Sequence, residues 1–397
     1  MDTNKLFLEN TFLCAILVNV IIISEDQFGF YFLTDKTIFY PQGGGQPNDF
    51  GWISDGELEV KILKARYGEN GIVKHYTESL LTLGLDTSIR NWKGRMYNND
   101  LSVDMTSLPS TDTTNKALFA KHESSFGNID LEVGTRFDNT KIDTDSNIKD
   151  NKYNSLNGHV FAVLNANDTT KYFAGIGKSS RVPDARELYY NGSGNEDLDD
   201  TKNYELDLGF QKNYENSMLK TKVFYSVLKD YVYNNNGTTF ANIDAKIYGI
   251  ELSGLYAIND EFTLDYGASY LKGKKDNPLT GQSDRDMAEI PPLKANLSLS
   301  YENNKSKFTT QVLAVKSWSD YDSDNGEQEL PGYAVFNVKY DYMVNKHFEL
   351  AAGIDNIFDK TYASTNTYND IKYIGSGDTE LINEPGRYLY TNLKFKF

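Results

Sequence analysis

Between residue 80 and the C-terminus, apolar and polar side chains alternate strictly, in runs of about ten to seventeen residues. The last run shows the pattern most simply. Leu389, Thr391, Leu393, Phe395 and Phe397 fall on one face of an extended strand, and Tyr388, Tyr390, Asn392, Lys394 and Lys396 on the other. A period of two places one face against an apolar medium and the other against water or polar groups. Upstream, Tyr204, Leu206, Leu208 and Phe210 alternate with Glu205, Asp207, Gly209 and Gln211. Leu81, Leu83 and Leu85 alternate with Thr82, Gly84 and Asp86 before Arg90-Asn91-Trp92. Further strands are expected at about 115–126, 128–138, 156–166, 170–181, 202–213, 218–231 and 241–257, and then at about 261–273, 291–302, 306–318, 332–344, 347–358 and 385–397. With the first, that makes about fourteen, an even number that suits a closed antiparallel sheet.

The connections carry a second regularity. Short turns such as Phe126-Gly127-Asn128 alternate with long polar loops at about 93–114, 139–155, 182–201, 274–290, 319–331 and 359–384. Short turns on one rim and long loops on the other are the layout of a transmembrane β-barrel. An edge strand of a soluble sheet would explain one alternating run but not this series.

Residues 1–78 are written differently. Short apolar runs at 12–23, 28–33, 37–40 and 58–63 are separated by glycine-rich turns, which predicts a compact all-β unit. The β-branched run at 12–23 is expected as a buried strand. It is a poor signal peptide, since Asp2 and Glu9 replace the usual basic lead. The centre of the unit is Gly43-Gly44-Gly45-Gln46-Pro47. Successive glycines permit positive φ or close backbone approach. No Gly-Lys-Ser/Thr follows, so this is not a phosphate-binding loop.

Composition narrows the function classes. Hydrophobic residues make up 39% and the mean hydropathy is −0.54. No stretch approaches the roughly 18 apolar residues of a membrane helix, whereas a barrel dilutes its lipid-facing residues with polar ones. The net charge of −16 argues against nucleic acid as a partner, because phosphate binding requires a basic face. One cysteine, Cys14, leaves no internal disulfide and no cysteine-based zinc site. No catalytic triad order, Walker motif or dinucleotide fingerprint is present, and no cofactor is expected.

Two family resemblances overlay this reading. TIFYPQGGGQPNDFG, continuing to Gly71-Ile72-Val73-Lys74-His75-Tyr76, resembles the editing domain of alanyl-tRNA synthetase. That family hydrolyses mischarged tRNA with a zinc ion held by a His-x-x-x-His pair and a later Cys and His. The histidines here are His75, His122, His159 and His347, none so spaced, and Cys14 precedes them all. A catalytic zinc needs about three protein ligands, so the stretch is expected to be catalytically inert and the chain not to be an enzyme.

From residue 80 to 397 the chain resembles the β-barrel of TonB-dependent outer-membrane receptors. The resemblance is carried, in order, by Gly177–Tyr189 (GKSSRVPDARELY), by Thr201–Gly209, by Asn242–Leu252, by Gly353–Tyr362 (GIDNIFDKTY) and by Pro385-Gly386-Arg387. It implies an outer-membrane location, contact with lipid, a metal-chelate ligand such as a siderophore, and a C-terminal signal at Leu393, Phe395 and Phe397 read by the barrel assembly machinery. It also implies 22 strands around a plug. About eight strands, the plug, the TonB-contacting segment and an export signal find no counterpart, and the editing-like stretch stands in their place. The expected organisation is therefore 1–78 editing-like and 80–397 receptor-like, joined between Glu78 and Leu81. The readings left open are a fused or truncated receptor, an editing-hydrolase remnant, an inert fusion or assembly artefact, and a soluble β-rich binding protein.

Three smaller features complete the survey. Asp320 to Gly326 has the acidic spacing of a calcium loop, but Asn325 and Pro331 stand where Gly and Glu would be needed, so a solvated loop is expected. His122 and His159 are expected as polar wall residues able to face the lumen near one another. Pro291 and Pro292 are expected at a strand start.

Overall fold

The structure, a computed structural model, describes residues 4–5, 16–26, 29–39, 41, 51–54, 59–68, 72–77, 79–97, 102–145, 148–235, 239–364 and 383–396. Gly43 to Pro47, Cys14 and Phe397 lie outside the described residues. The chain divides into two compact units. One comprises Met1–Gly84 with Phe119–Thr135, and the other Leu85–Leu118 with Arg136–Phe397.

Among the described residues, the N-terminal stretch forms eight short strands. These are β1 (Asn4–Lys5), β2 (Val20–Asp26), β3 (Gly29–Thr34), β4 (Lys36–Thr37), β5 (Gly51–Ser54), β6 (Glu59–Ile62), β7 (Lys64–Tyr67) and β8 (Val73–Thr77). β2, β3, β8 and β7 make a four-stranded sheet in that order, while β1–β4 and β5–β6 pair separately. Phe32 and Ile62 are its buried centre, with Phe30, Phe39, Ile53 and Val60 packed around them. The expected buried strand at 12–23 is corrected on two counts. Its described strand begins only at Val20, and Val20, Ile21, Ile22 and Ile23 are all exposed. β2 ends the order of its sheet, so it gains a ladder on one side only.

The second group of strands is β9 (Ser79–Tyr97), β10 (Val103–Phe126), β11 (Ile129–Thr144), β12 (Asn151–Asn167), β13 (Thr170–Arg181), β14 (Thr201–Asn213) and β15 (Ser217–Asn235). It continues with β16 (Thr239–Ala257), β17 (Phe262–Lys275), β18 (Lys294–Glu302), β19 (Ser306–Val315), β20 (Tyr333–Asn345), β21 (Phe348–Asp355) and β22 (Tyr388–Phe395). These fourteen strands form one sheet in uninterrupted sequence order from β22 to β9. Every register that is described from β12 onward is antiparallel. The fold is all-β with the expected fourteen-stranded antiparallel sheet.

Register turns the alternation into two faces. Ala174, Leu208, Val223, Ile250 and Tyr270 stand side by side across five strands, and the last four are exposed large apolar side chains. Thr310, Val338, Ile354 and Leu389 continue such a row. One residue along, the neighbours are polar and paired with one another. Lys222 Nζ lies 2.7 Å from Asp207, and the Ser226 hydroxyl donates to Glu205 at 2.6 Å. A one-residue slip would exchange the faces, so every aligned pair holds the register.

Strand positions matched expectation better than strand lengths. The expected loops at 93–114 and 139–155 are mostly strand: β10 begins at Val103, β11 runs to Thr144 and β12 starts at Asn151. Their polar sequence conceals a packed layer. β18 starts at Lys294, beyond the expected 291, because Pro291 and Pro292 have no N–H to give a ladder. β19 stops at Val315, where Trp318 forms an isolated bridge to Leu330.

Gly353 shows why one strand position is restricted to glycine. It faces Tyr390 across β21 and β22, and a Cβ there would lie 2.3 Å from the Tyr390 ring. The ring occupies the space a side chain would need. Gly353→Val is expected to destabilise the folded sheet by about 1–3 kcal/mol, as overpacking does. The check is the fraction of protein in detergent that keeps a folded, faster-migrating band on unheated gels. An unchanged fraction would show that the ring moves aside freely.

Candidate functional site: a polar wall and its loops

The second unit carries the features with binding chemistry. The polar faces of β9, β10, β11 and β13 enclose a cavity of about 580 Å³, within the usual range for ligand sites. Arg90 and Trp92 come from β9, Asn115 from β10, Arg136 and Asp138 from β11, and Arg181 from β13. Arg136 donates through Nε to both oxygens of Asp138 at 3.0 Å and through a terminal nitrogen to Asp86 at 3.1 Å. Asn115 donates to Asp138 at 3.0 Å and accepts from Thr140 at 3.0 Å. The wall is thus a connected polar network, as expected of a face turned away from an apolar medium.

At the end of β13 the chain turns into a short helix, α1 (Ala185–Tyr189). Pro183 precedes it, and Asp184 caps it by accepting the Arg186 and Glu187 N–H groups at 2.8 and 2.9 Å. Glu187 returns to the Asp184 N–H at 2.8 Å, which completes a capping box. The same carboxylate meets the Arg181 fork at 2.8 and 2.9 Å. The helix was not anticipated, although Asp184-Ala185-Arg186-Glu187 carries the capping-box spacing that could have announced it. Leu188, Tyr189 and Leu198 pack with Leu108, Ile142 and Tyr153 from the strand extensions. Asn151 donates to the Tyr189 hydroxyl at 2.9 Å, and the Tyr153 hydroxyl donates to the Leu198 carbonyl at 2.8 Å. This layer explains the long β10, β11 and β12. Polar residues near 103–114 and 139–155 hold strand because the 182–200 connection packs on them.

The acidic loop near Asp320 also departs from expectation. It is not a solvated loop around Asp322, which is fully buried and faces fully buried Lys275 at 2.8 Å. The same Asp322 oxygen accepts the Tyr233 hydroxyl at 2.5 Å. Ser323–Asn325 forms one 3-10 turn capped by Asp322, and left-handed Gly326 ends it. Glu327 accepts the N–H groups of Asp322 and Glu289 at 2.8 Å each, and burial raises its carboxyl pKa above the usual value. Asp324 accepts from the Ser283 and Asp284 N–H groups at 2.6 Å, while Asp284 accepts from the Ser323 N–H and hydroxyl. Two long connections, after β17 and after β19, are clasped together. The Asp284 pKa is lowered: those Ser323 hydrogen bonds and the Asp286 N–H favour its charged form and outweigh partial burial.

The remaining sequence candidates fall as follows. His159 sits on β12 opposite Gly177 of β13. His122 is exposed, and alternation places it on the same side of β10 as exposed Leu118. That side is the apolar one, which corrects the expected sharing of a lumen wall. Leu393 and Phe395 are exposed, and Leu393 aligns with Leu350. The Arg387 N–H donates to Asp359 at 2.7 Å, so the Pro385-Gly386-Arg387 entry is tied to the turn after β21. In the first unit, buried His75 donates from Nδ1 to the Phe32 carbonyl at 3.1 Å and accepts the Thr37 hydroxyl at Nε2 at 2.6 Å. Thr37 Oγ1 in turn accepts the Phe39 N–H at 3.0 Å. Among the described residues no group of three or more His, Cys, Asp or Glu could hold a metal ion.

A long antiparallel meander with one apolar and one polar face, a polar cavity in its wall and clasped loops has the layout of a β-barrel wall. The chain belongs to the TonB dependent receptor-like, beta-barrel family, whose match runs over residues 24–357. It is 25% identical over 222 residues to the vitamin B12 transporter BtuB of Photobacterium profundum, covering 52% of this chain and 34% of that protein. The fold superposes on the copper transporter OprC with a TM-score of 0.69 and 23% identity, covering 82% of this chain and 55% of that one. Over 78 residues it is also 35% identical to an alanine–tRNA ligase of Halorubrum lacusprofundi, covering 20% of this chain and 8% of that protein. The chain therefore spans about a third of the B12 transporter and about half of the copper transporter.

Two outcomes follow. Asp322→Ala leaves the Lys275 ammonium buried without a counter-charge, which costs about 3–5 kcal/mol. Limited proteolysis should then cut within 319–331 much faster, whereas Lys275→Met with Asp322→Leu should restore much of the protection. Burial lowers the His75 pKa to about 4 from 6.5. The unfolded state therefore takes the proton first, and the stability of the N-terminal sheet is complete above pH 6.5. It declines by about 3 kcal/mol as pH falls from there to 4. His75→Gln should flatten that decline in a pH series of chemical denaturation followed at Trp52.

Proposed function

We propose that the chain serves uptake of a metal chelate, a siderophore or bare metal ion, as the wall of a receptor in the outer membrane. The observation that carries this is the fourteen-stranded sheet with its exposed apolar rows and its polar face containing the 580 Å³ cavity. Outer-membrane lipid would cover the apolar rows. Membership of the receptor family supports a transport role over an enzymatic one. Similar proteins include a copper transporter and a vitamin B12 transporter, and both of those cargoes are metals or metal complexes.

Within this reading, Leu393, Phe395 and Phe397 are the signal for the barrel assembly machinery. The first two present exposed apolar side chains on one face of β22. Deleting Phe397 from an exported form should lower the amount of membrane-inserted protein and leave the ligand affinity of the inserted fraction unchanged. Quantifying the protein in outer-membrane fractions checks this, and unchanged insertion would remove the signal.

The stretch 1–78 is read as an alanyl-tRNA-editing-like fragment without turnover, joined to the receptor portion near 78–81. β8 belongs to the small four-stranded sheet and β9, starting at Ser79, to the large one. His75, the only histidine before residue 80, has both ring nitrogens engaged in the interior. The purified chain with zinc should not deacylate mischarged tRNA above background, and zinc-dependent turnover would reinstate the hydrolase reading. Sequencing the locus across codons 70–95, with detection of the intact chain in cells, tests the join.

A further inference from the structure

We propose that the Lys275 amine and the Asp322 carboxyl condense to an amide, a covalent cross-link between the end of β17 and the connection after β19. The inference stands on the buried cluster alone and does not depend on what the chain transports.

Both side chains are fully buried, and Lys275 Nζ lies 2.8 Å from Asp322 Oδ2. Two charges taken out of water in this way carry a desolvation penalty that can exceed their attraction. Joining the groups removes both charges. The surroundings hold the reacting atoms in one arrangement. The buried Tyr233 hydroxyl donates to the same Oδ2 at 2.5 Å, and the Asn325 N–H donates to Oδ1 at 3.3 Å. Glu327 positions the acid by accepting the Asp322 N–H at 2.8 Å. The Lys275 N–H donates to the Arg285 carbonyl at 2.7 Å, which fixes the backbone on the amine side. Two further carboxylates of the clasp are engaged elsewhere, Asp284 by Ser323 and Asp324 by the Ser283 and Asp284 N–H groups. Asp322 is thus the carboxyl that meets Lys275. An amine and an acid held at hydrogen-bond distance, away from water, reach the high effective concentration that an otherwise slow condensation requires.

The step balances within the pair. One ammonium proton passes to Oδ2, leaving a neutral amine and a neutral acid. The Nζ lone pair forms the bond to Cγ, the Cγ–Oδ2 bond breaks, and a second Nζ proton leaves with that oxygen as water. Tyr233 donates its hydrogen bond to the departing oxygen. No oxidant or further reactant is needed.

Intact mass spectrometry of the full chain, folded in detergent and then denatured, tests the link. The folded chain is expected to weigh one water less than its amino-acid sequence, and a protease digest to contain one peptide pair joined through Lys275 and Asp322. Chain kept in denaturant throughout should have the full mass, as should Lys275→Met. Asp322→Asn should form the same amide with loss of ammonia in place of water. Tyr233→Phe keeps the ring and should slow linkage on refolding about a hundredfold, the loss of one proton-donating group. The folded band on unheated gels confirms that each variant retains the sheet. Full mass in the folded parent, with Lys275 and Asp322 in separate unmodified peptides, overturns the proposal. A water loss that maps to another residue pair, or that persists in folded Lys275→Met, also overturns it. An unchanged rate in Tyr233→Phe overturns the role given to that hydroxyl.

Discussion

The fold rests on the backbone ladder. A chain whose side chains alternate between apolar and polar cannot bury both faces, and each backbone N–H and C=O still needs a partner. Sequential antiparallel pairing meets both demands, because each strand finds its partners in the strands before and after it. The exposed rows through Val223, Ile250 and Tyr270 are then a consequence of register, as is the polar network around Asp138. In an apolar medium an unmet backbone group costs several kcal/mol, which makes the ladder the condition for everything mounted on it.

What is mounted differs between the two rims. A tight turn such as that near Asn303 needs only local hydrogen bonds, Asn303 Oδ1 accepting the Lys305 and Ser306 N–H groups. The opposite rim holds long connections, and these are fastened by polar contacts, one of them fully buried. Asp322 joins Lys275 and Tyr233, and Glu187 joins Arg181 and the Asp184 backbone. The Asp322 contact is costly to break singly because that would strand the buried Lys275. The Glu187 contacts hold the start of the 182–200 connection, where Arg181 and Asp184 line the cavity.

The N-terminal stretch obeys a different rule. Its small sheet is built around Phe32 and Ile62, and its single histidine completes a neutral hydrogen-bond chain from the Phe39 N–H through Thr37 to Phe32. That arrangement uses the imidazole for packing and satisfaction of polar groups. Its likeness to alanine–tRNA ligases spans between a fifth and somewhat over a quarter of the chain, whereas the family match covers residues 24–357.

The sequence by itself determined the all-β class, the number of strands in the large sheet, their order and which side chains share a face. Period-two alternation is local and survives in any register, so Tyr204 to Phe210 or Leu389 to Phe395 announces its strand without knowledge of neighbours. The capping box at Asp184 was equally local and was legible, though unread. Only the tertiary structure decided the lengths of β10 to β12, the burial of Asp322 and the exposure of Val20 to Ile23. Each depends on a partner distant in the chain: Leu198 over Tyr153, Lys275 against Asp322, or one ladder where a central strand has two. The same holds for Arg90, which is one polar residue among many in the sequence. Among the described residues Arg136 and Arg181 meet carboxylates and Arg90 meets the Trp92 ring, and that follows from spatial pairing alone.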